Sequence, residues 1–273
     1  MYDRKLLVKL SLCAWKVLSE YLKQGVAVDK PIPGCVIAVQ TFEEFLNFNP
    51  HLHIIATDGC FYGDSKFMRS LVPKAEDLEI PFAIEVFYML EKEGKINNVI
   101  IDNMMNWQHS GFNIYCELPV SPMDEEGVER LSQYIIRVPI SQERIMYIPE
   151  NASENGVARV VYEGKKTSGT DEIFSALDWL ARLVTHIPNK SEQVVRYYGY
   201  YSNKSQGMWE KDNEEDKNAP DLVESDISLK AFRKNWARLI QKIYHVDALL
   251  CPKCGKHMKI AAFIKDLQTI KKN

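Results

Sequence analysis

The chain has 273 residues, of which 46% are hydrophobic and 26% are charged, and its net charge is −3. This length and composition suit a globular protein with a large core and room for more than one domain. No apolar run approaches the roughly 20 residues that a membrane-spanning helix needs, and the first residues lack a signal-peptide pattern, so we expect a cytoplasmic protein without a membrane partner. Walker-type and dinucleotide-binding glycine motifs are absent from the sequence, which argues against a nucleotide-dependent enzyme.

The spacing of apolar residues predicts the elements in chain order. A helix is expected over residues 4–24, ahead of Gly25, and two core strands are expected at residues 34–41 and 53–56. The later pattern predicts helices at 81–93, 125–136 and 171–184, and a strand pair at 145–147 and 157–162. Strands and helices mix without a regular βαβ alternation. This favours an α+β fold, with an antiparallel sheet and helices on one side.

Charge is distributed unevenly along the chain. Residues 210–226 hold eight acidic and two basic residues, whereas residues 227–273 hold eleven basic and two acidic ones. We therefore predict a main domain over residues 1–209, an acidic linker over 210–226 and a basic C-terminal module over 227–273. The module suits a phosphate backbone, although a solvated helix face carries similar charge.

His51 and His53 flank one apolar residue at the start of a strand. Successive strand side chains point to opposite faces, so the two imidazoles project from one face and Leu52 from the other. Two converging imidazoles suit a divalent metal ion, and a polar residue at the end of the preceding strand is close enough in sequence to complete the site. Such a pair also occurs as ordinary polar residues on a half-buried strand.

Five ordered blocks extend this pattern over almost the whole chain. They are residues 40–53, 107–113, 130–141, 186–188 with 196–199, and 246–255. Together they resemble rolling-circle transposases of the insertion-sequence ninety-one type, which carry a His-hydrophobic-His (HUH) motif and a tyrosine nucleophile. The resemblance implies an antiparallel sheet that carries the histidines, a helix that carries the tyrosine, and a role in DNA transposition and recombination of a mobile element.

The resemblance assigns the nucleophile to Tyr134, because residues 137–141 beside it match the family pattern. It implies metal-dependent nicking and rejoining of single-stranded DNA through a 5′-phosphotyrosine intermediate. Two-tyrosine members place a second tyrosine four residues earlier, where this chain has Arg130. The chain thus resembles the single-tyrosine branch, in which strand transfer reuses Tyr134 or the tyrosine of a second subunit in a homodimer.

The resemblance also makes Gln40 the first candidate for a third metal ligand, because an amide oxygen suits Mg²⁺ or Mn²⁺. Three acids remain as alternatives. Glu43 and Glu44 could equally be surface acids, and Asp58 could orient a histidine or simply form a turn. The candidate DNA contacts are Arg130, Arg137, His109 and Arg196, the last beside tyrosines that could stack on unpaired bases.

The C-terminal module contains a second metal pattern. Cys251 and Cys254 lie three residues apart and are followed by a glycine. The two thiolates would supply half of a tetrahedral zinc site. His257 and His245 are the nearest further ligands, and an unmetallated thiol pair is the alternative. The other four cysteines are expected in the core, namely Cys13, Cys35, Cys60 and Cys116.

Members of the resembled family carry a longer N-terminal region with its own zinc-binding cysteines, so we expect this chain to lack that region. Two other functions stay open. One is an inactive, truncated transposase remnant that only binds DNA. The other is a cupin-like metal oxygenase built on His51 and His53, although residues 54–57 lack the glutamate that such sites usually use.

Overall fold

The computed structural model describes residues 3–63, 66–105, 107, 111–116, 119–121, 123–135, 140–164, 171–205, 221–223, 228 and 232, and for Tyr134, Asp221 and Val223 it describes the backbone alone. Its helices are α1 (Lys5–Gln24), α2 (Ala75–Lys92), α3 (Asn98–Met105), α4 (Glu125–Ile135) and α5 (Ala176–His186). Its strands are β1 (Gly34–Phe42), β2 (Phe48–Ala56), β3 (Gly59–Tyr62), β4 (Lys66–Arg69), β5 (Ile145–Ile148), β6 (Arg159–Tyr162), β7 (Glu172–Ser175), β8 (Val195–Gly199) and β9 (Asp221–Val223). None of the described helices is both long and apolar enough to cross a bilayer.

The chain forms two compact units. The first unit comprises Met1–Leu12, Gly34–Thr57 and Leu118–Lys217, and the second comprises Cys13–Pro33, Asp58–Glu117 and Asn218–Asn273. The predicted main domain over residues 1–209 therefore divides between both units. The predicted linker and basic module lie largely outside the described residues, so those boundaries stay predictions.

The first unit contains an antiparallel sheet in the order β2-β1-β8. Its central strand is almost continuously buried, and Ile37 is fully excluded from solvent. Because β1 is hydrogen-bonded on both edges, apolar residues on it can be covered from both faces, which explains its unbroken apolar sequence. This strand is the rigid element beside which the candidate site is built.

Helices of the first unit lie on both faces of that sheet. The Tyr198 hydroxyl on β8 is 2.7 Å from the Ser11 hydroxyl on α1. Gln40 on β1 points to the other face, where its amide reaches the last residue of α4. The expectation that helices lie on one side is therefore wrong for this sheet, because an apolar central strand needs cover on both faces. The α+β class itself is confirmed.

A second antiparallel sheet of the first unit has the order β5-β6-β7 and packs against α5. Its core is aromatic: Trp179 on α5 lies 5.2 Å from Tyr162 and 5.5 Å from Phe174, measured between ring centroids. Leu46, from the connection between β1 and β2, is buried in the same cluster. The Ser175 hydroxyl accepts a hydrogen bond from the Asp178 backbone N–H and caps the start of α5.

The second unit holds the β3–β4 hairpin, and β9 pairs with β4 in parallel. Inside this unit, the Lys16 ammonium on α1 forms an ion pair with the buried carboxylate of Glu85 on α2. The Tyr21 hydroxyl on α1 donates a hydrogen bond to Asp77, which lies on α2 like Glu85. This parallel pair lies outside the sheet that carries His51 and His53, which is antiparallel as expected.

The sequence predicted most of these elements and misplaced several boundaries, among them the start of β2, which is Phe48 rather than His53. Residues 171–184 do not form one helix, because β7 occupies Glu172–Ser175 and α5 begins only after the Ser175 cap. The helix expected to start at Pro81 begins instead at Ala75, with Pro81 inside it. Leu78 and Pro81 are both buried and lie three residues apart, so the apolar face of α2 extends N-terminally of the proline.

We predict that Cys13, Cys35 and Cys60 resist alkylation in the folded protein. All three are buried, as the sequence predicted, whereas Cys116, also expected in the core, is only partly buried. Burial raises the pKa of the thiols of Cys13, Cys35 and Cys60 to about 12. At pH 8 their reactive thiolate fraction is then roughly a thousandfold below that of a thiol with its ordinary pKa of 9.0. A short iodoacetamide pulse followed by peptide mass spectrometry measures each cysteine separately. Labelling as fast as in guanidinium-unfolded protein would contradict the buried placement.

Candidate functional site

The pairing of β1 with β2 brings together the predicted metal ligands. Gln40 lies directly opposite His51, and Ala38 lies directly opposite His53. Directly paired residues of an antiparallel ladder project from the same face of the sheet. Gln40, His51 and His53 therefore share one face, and the small side chain of Ala38 leaves space beside His53.

A shift in strand register precedes His51. Between Gln40 and Phe42 the pairing moves by one residue, so that Thr41 faces both Asn49 and Pro50. Because β2 is an edge strand of its sheet, a proline without a backbone N–H is tolerated there. An extra residue of this kind bends the strand and redirects the side chains that follow. The Asn-Pro sequence thus sets the direction in which His51 leaves the strand.

The two imidazoles lie close together, and one has a defined tautomer. Their ring centroids are 4.9 Å apart, with the planes at 80°. The Nδ1 atom of His51 is 2.8 Å from the Asn49 carbonyl oxygen. Since a carbonyl only accepts, Nδ1 carries the proton and the Nε2 lone pair is available. This is the state in which a neutral imidazole binds a metal ion.

Gln40 connects this face to the helix that contains Tyr134. The side chain is only 6% exposed, and its Nε2 donates a hydrogen bond of 3.3 Å to the carbonyl oxygen of Ile135, the last residue of α4. The last carbonyls of a helix have no intrahelical donor, so Gln40 caps the end of α4. That end carries partial negative charge, which favours a cation nearby. The backbone of Tyr134 immediately precedes this contact.

The alternative acids have other partners. Glu43 accepts a hydrogen bond of 3.0 Å from the Asn49 side chain, and a Glu44 oxygen lies 3.5 Å from the Arg144 guanidinium. Asp58 lies 3.2 Å from the Arg69 guanidinium. In the part of the chain that the structure describes, no three His, Cys, Asp or Glu side chains form a metal-binding group.

The two predicted DNA contacts that the structure describes lie on different elements, Arg130 on α4 and Arg196 on β8. Arg130 is 69% exposed on α4 and lies 3.5 Å from Glu126 and 4.0 Å from Asp124. Arg196 pairs with Ile37 and so projects from the face opposite to Gln40. Its neighbour Tyr197 pairs with Val36, which puts this tyrosine, 55% exposed, on the same face as the histidines. The remaining predicted site residues lie outside the described side chains: Arg137, His109, Cys251, Cys254 and His257.

Sequence reasoning missed two contributions to the site. The carbonyl of Asn49 orients His51, a role that no side-chain pattern reveals. His186 was part of a recognised block but received no role, although it is buried and hydrogen-bonded to the segment between β1 and β2. The sequence did contain a signal for His186: the block at residues 186–188 matches the family pattern, yet none of its residues had an assigned role.

Comparison with known proteins shows the family to which the chain belongs. A family model described as "Putative transposase" matches residues 34–208. The transposase for insertion sequence element IS801 of Pseudomonas savastanoi pv. phaseolicola is 28% identical over 141 residues, which is 51% of this chain and 32% of that transposase. The chain therefore spans only about a third of the length of this relative. No solved structure matches the chain.

The matched region starts at the first residue of β1 and continues beyond β8, so it includes β2, α4 and α5. It covers more than half of the chain, and it contains every described residue of the site. On this evidence the chain belongs to that family of transposases.

Proposed function

We propose that this chain is a metal-dependent transposase that nicks and rejoins single-stranded DNA through Tyr134 during rolling-circle transposition. One observation carries the proposal. Gln40, His51 and His53 share one sheet face, and Gln40 is hydrogen-bonded to the end of the helix that contains Tyr134. A helix that carries the proposed nucleophile, beside a cluster of neutral metal donors, is an arrangement that suits metal-assisted phosphodiester cleavage by tyrosine.

The donor chemistry fits a Mg²⁺ or Mn²⁺ ion. His51 offers Nε2 because its Nδ1–H is engaged by Asn49, and Gln40 offers Oε1 because its Nε2 is engaged by Ile135. His53 lies beside them on the same strand. When bound, the ion would polarise the scissile phosphate and neutralise charge that develops there.

The chemical step then belongs to Tyr134. Its phenol has an ordinary pKa near 10, so the hydroxyl must lose its proton as it attacks phosphorus. The new bond joins the phenolic oxygen to the 5′-phosphate, and the bond from phosphorus to the 3′-oxygen breaks. That oxygen leaves with a proton as a free 3′-hydroxyl. Attack by a 3′-hydroxyl on the phosphotyrosine reverses the step and rejoins the strand, without an external energy source.

Arg130 stands where two-tyrosine relatives have their second tyrosine, on the same face of α4. With one nucleophile, the chain would complete strand transfer by reusing Tyr134 or by using a second subunit in a homodimer. Among the described residues, the exposed guanidinium of Arg130 pairs with the exposed acids Asp124 and Glu126, so DNA phosphates can compete for it at small cost.

Tyr197 supports single-stranded DNA as the substrate. Its exposed ring shares the sheet face of the histidines, next to the half-buried side chain of Val36. Unpaired bases stack on such rings irrespective of sequence, and the basic residues of the C-terminal segment would add backbone attraction. Membership of the transposase family also favours this function over the cupin-like oxygenase.

We predict that His51→Ala or His53→Ala lowers Mn²⁺ affinity by at least about 100-fold and abolishes cleavage, because each change removes a donor. DNA binding should persist and weaken steeply with salt. Calorimetric titration with Mn²⁺ and a cleavage assay measure the two effects. Asp58→Asn, which changes an acid of the second unit, is a matched control that should behave like wild type. Cleavage that survives in both histidine variants would rule out the metal site.

We predict that Tyr134→Phe abolishes a covalent protein–DNA adduct, whereas Tyr147→Phe, which changes an exposed tyrosine on β5, does not. Single-stranded oligonucleotides from the element ends, labelled at either terminus, are incubated with Mn²⁺ and run on denaturing gels. The 3′-terminal label should move with the protein, and the 5′-terminal label should appear in a released fragment.

An adduct that persists in Tyr134→Phe would mean that another residue is the nucleophile. If the wild-type protein also forms no adduct but still binds DNA, the chain is an inactive remnant.

We also propose that Cys251, Cys254 and His257 hold Zn²⁺ in a DNA-binding tail. We expect about one zinc per chain by elemental analysis after removal of loosely bound metal. Cys251→Ser and Cys254→Ser should each lose that zinc, whereas Cys116→Ser and His51→Ala should keep it. Wild-type protein without zinc would favour the unmetallated thiol pair.

A further inference from the structure

His186 is a buried histidine with both ring nitrogens engaged. It ends α5 and is only 8% exposed. Its Nε2 is 2.9 Å from the Leu46 carbonyl oxygen, and its Nδ1 is 3.0 Å from the Thr41 hydroxyl. Because a carbonyl only accepts, Nε2 donates to Leu46, and in the neutral ring Nδ1 accepts from Thr41. The two hydrogen bonds hold the ring in a single orientation.

The segment that His186 holds is unusual in its backbone. Phe45 and Leu46 have φ angles of 60° and 56°, in the left-handed region that residues other than glycine rarely adopt. Such a conformation persists only where its surroundings hold it. Arg182, one turn before His186 on α5, adds hydrogen bonds to the Asn47 side chain at 3.0 Å and to the Phe45 carbonyl at 3.5 Å.

This segment joins the two halves of the proposed metal site. It leaves β1 after Phe42, two residues beyond Gln40, and enters β2 at Phe48, three residues before His51. The Thr41 hydroxyl that His186 holds belongs to the residue at which the strand register shifts. Thr41 directly follows Gln40, and the pair of Gln40 with His51 is the last one before this shift.

The aromatic rings form a second connection. The ring of Phe42 lies edge-on to His186 at 6.1 Å and edge-on to His51 at 6.3 Å. Phe48, the first residue of β2, stacks on His186 at 6.1 Å with the planes 14° apart. His186 thus contacts aromatic residues on both strands of the hairpin, and one of these also contacts His51.

We infer that His186 is a positioning residue for the site, acting through Thr41, Leu46 and Phe42 to keep Gln40 opposite His51. Its importance for cleavage rests on the proposed function. The effect of His186 on the arrangement of His51 is independent of that function, because the arrangement exists in the metal-free protein. The two claims can be tested separately.

The test compares three variants of the full chain. His186→Phe keeps an aromatic ring of similar volume and removes both hydrogen bonds, whereas His186→Gln retains an amide N–H that can donate to Leu46. Leu177→Ala changes an 80% exposed residue of the same helix and is the control for α5. Circular dichroism and thermal unfolding establish that each variant is folded. If His186→Phe does not fold, Thr41→Val removes the same hydrogen bond from its other side.

The first measurement is the ¹H–¹⁵N long-range spectrum of the imidazoles in metal-free protein, with His51 assigned from a His51→Gln spectrum. We expect His186→Phe to lose the protonated-Nδ1 signature of His51, and His186→Gln and Leu177→Ala to retain it. An unchanged His51 signature in folded His186→Phe would overturn the inference.

The second measurement is Mn²⁺ affinity. We expect a loss of roughly 10-fold in His186→Phe, the size typical of removing a group that orients a ligand, with recovery in His186→Gln. Unchanged affinity in His186→Phe would also overturn the inference. Wild-type protein that binds no Mn²⁺ would overturn the proposed metal site instead, and the His51 spectrum would still decide the role of His186.

Discussion

The antiparallel pairing of β1 with β2 is the constraint on which the candidate site depends. Side chains alternate along a strand, so a slip of one residue would send Gln40 to the other face while the histidines stayed in place. The observed register, with Gln40 opposite His51 and Ala38 opposite His53, is fixed by the buried side chains of β1 and by β8 on its other edge. Core packing thereby determines where the polar donors meet.

Two of the three proposed metal donors, His51 and Gln40, are each oriented by a backbone carbonyl. Asn49 holds Nδ1–H of His51, and Ile135 holds the amide N–H of Gln40. In each case the hydrogen bond uses the donating atom and leaves the accepting atom of the same side chain for a metal ion. Preorganisation of this kind reduces the conformational entropy lost on binding. It also makes the site sensitive to the backbone of β2 and to the end of α4.

Local patterns predicted the elements of the site but not how they meet. The helical period over residues 4–24 and the apolar run of β1 were sufficient for α1 and β1, because each pattern is long and consistent. The alternation at residues 196–199 did not show that Tyr197, rather than Arg196, faces the histidines, because that depends on register with β1. The bond from Gln40 to Ile135 joins residues 95 apart, and the bond from Thr41 to His186 joins residues 145 apart. No local period encodes contacts of such separation.

The connection between β1 and β2 joins the stability of the fold to the geometry of the site. Its strained residue Leu46 places a side chain, only 3% exposed, among Val160, Tyr162, Phe174 and Trp179, and this burial offsets the cost of a left-handed backbone. The carbonyl of the same residue binds His186. Any change that loosens the aromatic core therefore also weakens the hold on this connection, which joins Phe42 at the end of β1 to Phe48 at the start of β2. In this first unit, the residues that pack the β5-β6-β7 sheet and the residues proposed to bind metal are coupled through five residues of backbone, Glu43 to Asn47.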